Sequence, residues 1–170
     1  MSAKLAFVFP GQGSQAVGML AEVAASNSLV QETFAEASEA LGYDLWVLSQ
    51  EGPAEVLNQT DKTQPAILTA SVALWRLWQS QSERQPEFVA GHSLGEYSAL
   101  VAANAIDLSD AVRLVARRGE LMQQAVPAGT GGMAAILGLT DEQVKEACAQ
   151  AAQGEVVSAV NFNAPGQVVI

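Results

Sequence analysis

The 170 residues contain one cysteine, Cys148, and one histidine, His92. A lone thiol closes no internal disulfide and supplies no thiolate metal set, so the chain lacks the staples of small secreted domains, and a reducing, cytoplasmic location is expected. No metal site is expected either. Basic residues are also scarce: eight Lys and Arg stand against 18 Asp and Glu, a formal net charge of -10. That balance opposes generic attraction to nucleic acid or to an anionic membrane surface, so neither is expected as a partner. An anionic ligand would have to be held by a local cluster of cations. Long hydrophobic runs are missing as well. The run from Leu5 to Phe9 stops at Pro10-Gly11, too short for a signal sequence or a membrane span, and the longer apolar stretch from Gln64 to Gln79 is interrupted by Arg76. What is plentiful is apolar residues, 49% against 15% charged, enough for one sizeable core.

Apolar runs bounded by turn residues alternate with helical patterns. "KLAFVF" (4–9) and "EFVAG" (87–91) read as fully buried parallel strands. "LVQETFAEASEALG" (29–42) spaces Leu29, Val30, Phe34, Ala37 and Leu41 as one helix face and ends on a glycine cap, Gly42. Gln64 to Gln79 reads as a helix deep in the core. Ser109 is expected to cap a helix running to about Val126, followed by the turn-rich Pro127-Ala128-Gly129. A domain boundary is placed there, giving units 1–127 and 128–170. Beyond it, strand "MAAILGL" (133–139), a helix opened by the Thr140–Gln143 capping box, strand "EVVSAVNF" (155–162), an Asn163–Gly166 turn and "QVVI" make the start of a split βαβ unit of the ferredoxin-like kind.

The segment "FVAGHSLGEYSAL" (88–100) carries the chemistry. A G-x-S-x-G pattern is weak alone, but here a strand precedes it and a helix follows, the order that a nucleophile elbow requires. Ser93 would then project over a helix N-terminus, where free N–H groups favour a developing oxyanion; the alternative is an ordinary serine cap. A serine needs a base. His92 directly precedes Ser93, and neighbouring side chains in extended backbone point to opposite faces, so it is read as structural or substrate-facing.

The turn "GQGSQAVG" (11–18) formally fits a dinucleotide fingerprint through Gly11, Gly13 and Ala16. The acids about 20 positions on, Glu32 and Glu36, fall in a helix, which argues against that use. Its alternative is to bring the Gln12 N–H beside that of Leu94 as an oxyanion hole. On a helical wheel of the segment from Ser109, Ala111, Leu114, Val115, Leu121, Met122 and Ala125 share one face with Arg118 in its middle. A guanidinium cannot shed its proton and requires an anionic partner, either an internal carboxylate or a substrate carboxylate, unless its stem carries it to the surface. Arg113 and Arg117, on the opposite face, are a docking patch for an anionic partner or simply a solvated face.

"FVFPGQGSQAVGM", "TQPAILTAS", "GHSLGEYSAL", "RRGELMQQAVP" and "AVNFNAPGQVVI", in this order, resemble the bacterial malonyl-CoA:acyl-carrier-protein transacylases over essentially the whole chain. The resemblance implies an α/β fold, an α/β-hydrolase-like parallel-sheet core with an inserted, here incomplete, ferredoxin-like subdomain. It implies ping-pong transfer of a malonyl group from coenzyme A to Ser93, then to the phosphopantetheine thiol of acyl carrier protein in fatty acid biosynthesis. Gln12 and Leu94 would supply oxyanion N–H groups, and Arg118 would hold the malonyl carboxylate. His92, Asn161 and Asn163 are candidates to face substrate. The coenzyme A thioester is substrate, and no permanently bound cofactor is implied. Members of that family are close to twice this length, with the catalytic histidine in the part that would follow Ile170. The chain is therefore expected to be an N-terminal portion, inactive alone, whose partners include a C-terminal half. A serine hydrolase or thioesterase using the same elbow, and a non-catalytic coenzyme A or acyl-carrier binding module, are the competing readings.

Overall fold

The computed structural model describes residues 4–126 and 129–170. The chain forms two compact units that divide between Ala125 and Val126. The boundary expected at 127/128 rests on Pro127 and Ala128, which lie outside the described residues. The fold is mixed α/β, and no helix among the described residues is long and apolar enough to cross a membrane.

In the first unit, β1 (Ala6–Phe9) leads through a long turn to α1 (Ala21–Ser26), α2 (Ser28–Leu41), α3 (Leu45–Glu51), α4 (Ala54–Leu57) and α5 (Thr60–Gln81). The chain then returns as β2 (Phe88–Gly91), followed by α6 (Leu94–Ala102) and α7 (Leu108–Ala125). β1 and β2 pair in parallel, from Ala6 opposite Phe88 to Phe9 opposite Gly91. Parallel pairing puts both C-terminal ends on one edge, so the glycine turn after β1 and the Ser93 bend after β2 leave the sheet side by side.

The helices enclose a core of Val30, Phe34, Leu68, Val72, Leu94, Val112 and Val115. α5 is buried without a break from Thr63 to Ala73, which explains why its sequence is apolar on every face rather than along one stripe. Its Arg76 reaches Glu36 on α2 at 2.6 Å. Gly42 ends α2 in the left-handed conformation (φ 78°), as its cap position requires.

Three expectations are corrected here. β1 and β2 are not fully buried: Phe7, Phe9 and Val89 pack with Trp75 and Trp78, whereas Val8 and Phe88 are exposed. Side chains alternate across a strand, and only one face of this pair is covered. Ser109 does not cap α7, because the helix already begins at Leu108 and the Ala111 N–H donates to the Asp107 carbonyl at 2.9 Å. The α5 helix starts at Thr60, a turn earlier than its apolar pattern suggests.

The second unit contains β3 (Ala135–Leu137), α8 (Asp141–Ala152), β4 (Asn161–Ala164) and β5 (Gln167–Val169), in the antiparallel order β3-β5-β4. The capping box forms: Thr140 Oγ1 accepts from the Gln143 N–H, and Gln143 Oε1 accepts from the Thr140 N–H. Val144, Cys148 and Val168 make its small core. The strand expected over 155–162 begins only at Asn161, just after the Val160 N–H donates to the Val169 carbonyl at 2.9 Å. Asn163 consequently belongs to β4, and the turn narrows to Pro165-Gly166, where Gly166 takes φ 76°.

Candidate active site

Ser93 sits at φ 54° and ψ -109° between β2 and α6. A non-glycine residue in that region costs on the order of 1–3 kcal/mol and persists only where its surroundings over-determine it. The two flanking glycines show what does so. A Cβ on Gly91 would lie 2.0 Å from the Gly95 carbonyl carbon, and a Cβ on Gly95 would lie 2.3 Å from the Phe9 carbonyl oxygen. The bend therefore folds back on itself and rests on the end of β1, which admits no side chain at either place. Leu94, 1% exposed, plugs the main core directly beneath the bend. Ser93 itself is exposed at the helix start. As first residue of α6, Leu94 has no carbonyl one turn back for its N–H, which leaves that donor free to act beside the serine oxygen.

The turn after β1 is tied down next to this bend. A Cβ on Gly11 would lie 3.4 Å from the His92 carbonyl oxygen, so the two loops touch through backbone. Gln12 Nε2 donates to Thr60 Oγ1 at 3.3 Å, Gln15 Nε2 donates to Asn58 Oδ1 at 2.8 Å, and Ser14 Oγ donates to the Gly11 carbonyl at 2.9 Å. These bonds fix the Gln12 backbone against the N-terminus of α5. His92 is exposed, and among the described residues no hydrogen bond joins its side chain to Ser93.

α7 brings the cation. Arg118 Nη2 donates to Ser93 Oγ at 2.9 Å, and Nη1 donates to Gln64 Oε1 at 2.8 Å. The Arg118 Cζ stands 5.7 Å from the Tyr97 ring centroid. What permits the approach is the neighbouring glycine. A Cβ on Gly119 would fall 2.6 Å from the Asp61 Cα and 2.7 Å from the Thr60 carbonyl carbon, so α7 crosses the start of α5 backbone to backbone, and Arg118 is delivered alongside Gln64.

The apolar face expected around Arg118 needs correcting. Leu108, Ala111, Val112, Val115 and Gly119 form the buried stripe, while Leu114, Leu121 and Met122 are about half exposed. Arg118 is half-buried at the edge of that stripe. Among the described residues no carboxylate pairs with it; its two hydrogen-bond acceptors are neutral. Arg76, Arg113 and Arg117 by contrast pair with Glu36, Asp110 and Glu120. In a chain of net charge -10, a cation held by two neutral acceptors is available to an incoming anion.

The structure thus brings Ser93, Leu94, Gln12 and Arg118 into one neighbourhood. Asn161 and Asn163 stand on β4 of the second unit. Sequence reasoning missed Gln64, Tyr97 and Gly119. Gln64 carried a signal, a polar side chain opening a run of apolar ones. Gly119 carried another, a glycine inside a helix where alanine would be favoured by about 1 kcal/mol. No group of metal-binding side chains occurs among the described residues.

Comparison with known proteins places the chain in a family. The family described as the acyl transferase domain matches residues 6–170. A malonyl CoA-acyl carrier protein transacylase of Salmonella typhimurium is 68% identical over 167 residues, covering 98% of this chain and 54% of that protein. The crystal structure of an acyl carrier protein S-malonyltransferase from Vibrio cholerae superposes with a TM-score of 0.93 at 68% identity, covering 98% of this chain and 55% of the other. A malonyl-transacylase solved in complex with a type II PKS acyl-carrier protein superposes at 0.95 with 60% identity, covering 98% and 54%. The chain spans about half the length of the relatives that it matches.

Proposed function

Because the chain belongs to the acyl transferase domain family, we propose that it carries the serine-bearing part of a malonyl-CoA:acyl-carrier-protein transacylase of fatty acid biosynthesis. The observation that carries this reading is the 2.9 Å hydrogen bond between Arg118 Nη2 and Ser93 Oγ. A single methylene separates the thioester carbonyl of malonyl-CoA from its carboxylate. A guanidinium that touches the nucleophile is therefore within one short acyl chain of an acid bound to it.

Ser93 Oγ attacks the thioester carbonyl and its proton passes to a base. The tetrahedral oxyanion rests on the N–H groups of Leu94 and Gln12, and collapse expels the coenzyme A thiolate, which takes up a proton. A phosphopantetheine thiol of acyl carrier protein then attacks the malonyl ester and frees Ser93. The base is assigned to the portion of the relatives that this chain does not span, because His92 makes no bond to the serine. His92 is assigned to the wall around the thioester arm. The coenzyme A thioester is substrate, not a resident cofactor.

The same reading gives the fold its finer description. The parallel β1–β2 pair with its strained serine bend supports a hydrolase-like core. The order β3-β5-β4 around α8 supports a ferredoxin-like subdomain, in which the third strand lies between the first two. Mass spectrometry of the intact protein after incubation with malonyl-CoA tests the function. A malonyl ester on Ser93 that discharges to holo acyl carrier protein is the expected result, and discharge to water alone would favour a thioesterase.

A further inference from the structure

We propose that Gln64 is a positioning residue that keeps Arg118 an unneutralised cation in fixed orientation, and through it sets the preference for acyl groups that end in a carboxylate; this rests on the transacylase reading above. Gln64 is wholly buried, 0% exposed, although it is polar. Both ends of its amide are spoken for: Oε1 accepts from Arg118 Nη1 at 2.8 Å, and Nε2 donates to Met122 Sδ at 3.3 Å. Turned over, the amide would set its N–H groups against those of the guanidinium, so only one orientation is compatible with the arginine.

The choice of an amide has an electrostatic consequence. A carboxylate at the same place would hold Arg118 in a charge-assisted pair and spend the charge inside the protein, as Glu36 does for Arg76 at 2.6 Å. An amide anchors the guanidinium by one N–H and leaves its charge to the ligand. Orientation follows too. Nη1 is tied to α5, Nη2 points at Ser93 Oγ, and Cζ stands over the Tyr97 ring, 5.7 Å from its centroid. The remaining in-plane N–H groups are then left for a carboxylate, which binds a guanidinium edge-on. The close crossing at Gly119 holds the two helices in register at this point.

The test compares malonyl-CoA with acetyl-CoA as donors, in the intact protein and in Gln64→Glu and Gln64→Met, with thermal unfolding of each variant in parallel. For Gln64→Glu, the ratio of kcat/KM for malonyl over acetyl should fall about 30-fold, mostly through a higher KM for malonyl-CoA, on the scale of one charge-assisted hydrogen bond gained or lost. For Gln64→Met, which keeps the volume and loses the acceptor, the ratio should fall about tenfold. If Gln64→Glu does not fold, Gln64→Met alone decides. A ratio that stays within twofold of the unsubstituted protein, with both donors falling together, makes Gln64 merely structural and overturns the proposal. Failure of the unsubstituted protein to take malonyl at all overturns the transacylase reading instead, and this inference with it.

Discussion

Arg118 and Ser93 lie 25 residues apart in sequence, yet the guanidinium donates to the serine oxygen across 2.9 Å. The serine is held by two backbone contacts of its bend and the arginine by a helix crossing, so each is positioned independently of the other.

Replacing Arg118 should therefore separate acyl groups rather than stop transfer outright. In the intact protein, Arg118→Ala should lower kcat/KM for malonyl-CoA at least a hundredfold and shift preference toward uncharged acyl donors, because a buried charge pair is lost from the bound state. Arg118→Lys keeps the charge but not the fork, and should recover only part of the loss. Steady-state kinetics with malonyl-CoA and acetyl-CoA check this, and an unchanged malonyl preference would remove Arg118 from the site.

Ser93→Gly should gain stability while losing the acyl-enzyme. The serine adopts φ 54° and ψ -109°, and glycine reaches that region without the side-chain penalty, so about 1 kcal/mol of stabilisation is expected. Urea unfolding gives the stability, and mass spectrometry after malonyl-CoA gives the absence of an adduct. Lower stability in the glycine variant would show that the bend is not strained.

At Gly119 two effects compete. Alanine in a helix interior is favoured over glycine by about 1 kcal/mol, whereas a Cβ here would lie 2.6 Å from the Asp61 Cα, and overpacking against backbone costs about 1–3 kcal/mol or more. The clash should win, since backbone cannot rotate aside. Gly119→Ala is expected to lower the unfolding free energy, read from the denaturant midpoint, by a net of about 1–2 kcal/mol and to weaken malonyl selectivity as Arg118 is pushed away from Gln64. A more stable variant would show that the crossing has slack.

Burial, with Asp61 nearby, pushes the Tyr43 phenol above its ordinary value of 10.0. The folded state thus favours the neutral phenol more than the unfolded state does. The associated stability is complete below about pH 10 and is lost as the pH climbs above it. Tyr43→Phe should flatten the decline in unfolding free energy between pH 10 and 11, as read by denaturant titrations at several pH values (~1 pH unit spanned). An equally steep decline in the variant would assign it to other groups.

Much of this arrangement is legible in the sequence because it depends on local chemistry. Gly91 and Gly95 around Ser93 could be read as an elbow, since only glycine permits the backbone approaches seen there. The Thr140–Gln143 box and the Gly42 cap are equally local, each satisfied within a single turn of helix. The α7 stripe was misjudged at Leu114, Leu121 and Met122 because a wheel shows which residues share a face, not which face the neighbouring helix covers. The start of α7 was misplaced for a similar reason: Ser109 is a good cap, but the chain before it had already turned helical.

By itself the sequence determined the glycine-flanked turn that carries Ser93 between a strand and a helix, and it marked Arg118 as a charge in need of a partner, since both follow from residue type and near-neighbour spacing. Tertiary structure alone decided what surrounds that arginine. Gln64 and Gly119 are 55 positions apart (119 − 64), and nothing local to either foretells that α5 and α7 cross where one lacks a side chain and the other offers a neutral oxygen. The charge brought to Ser93 is a property of that crossing, and a crossing is fixed only when the whole core closes around it.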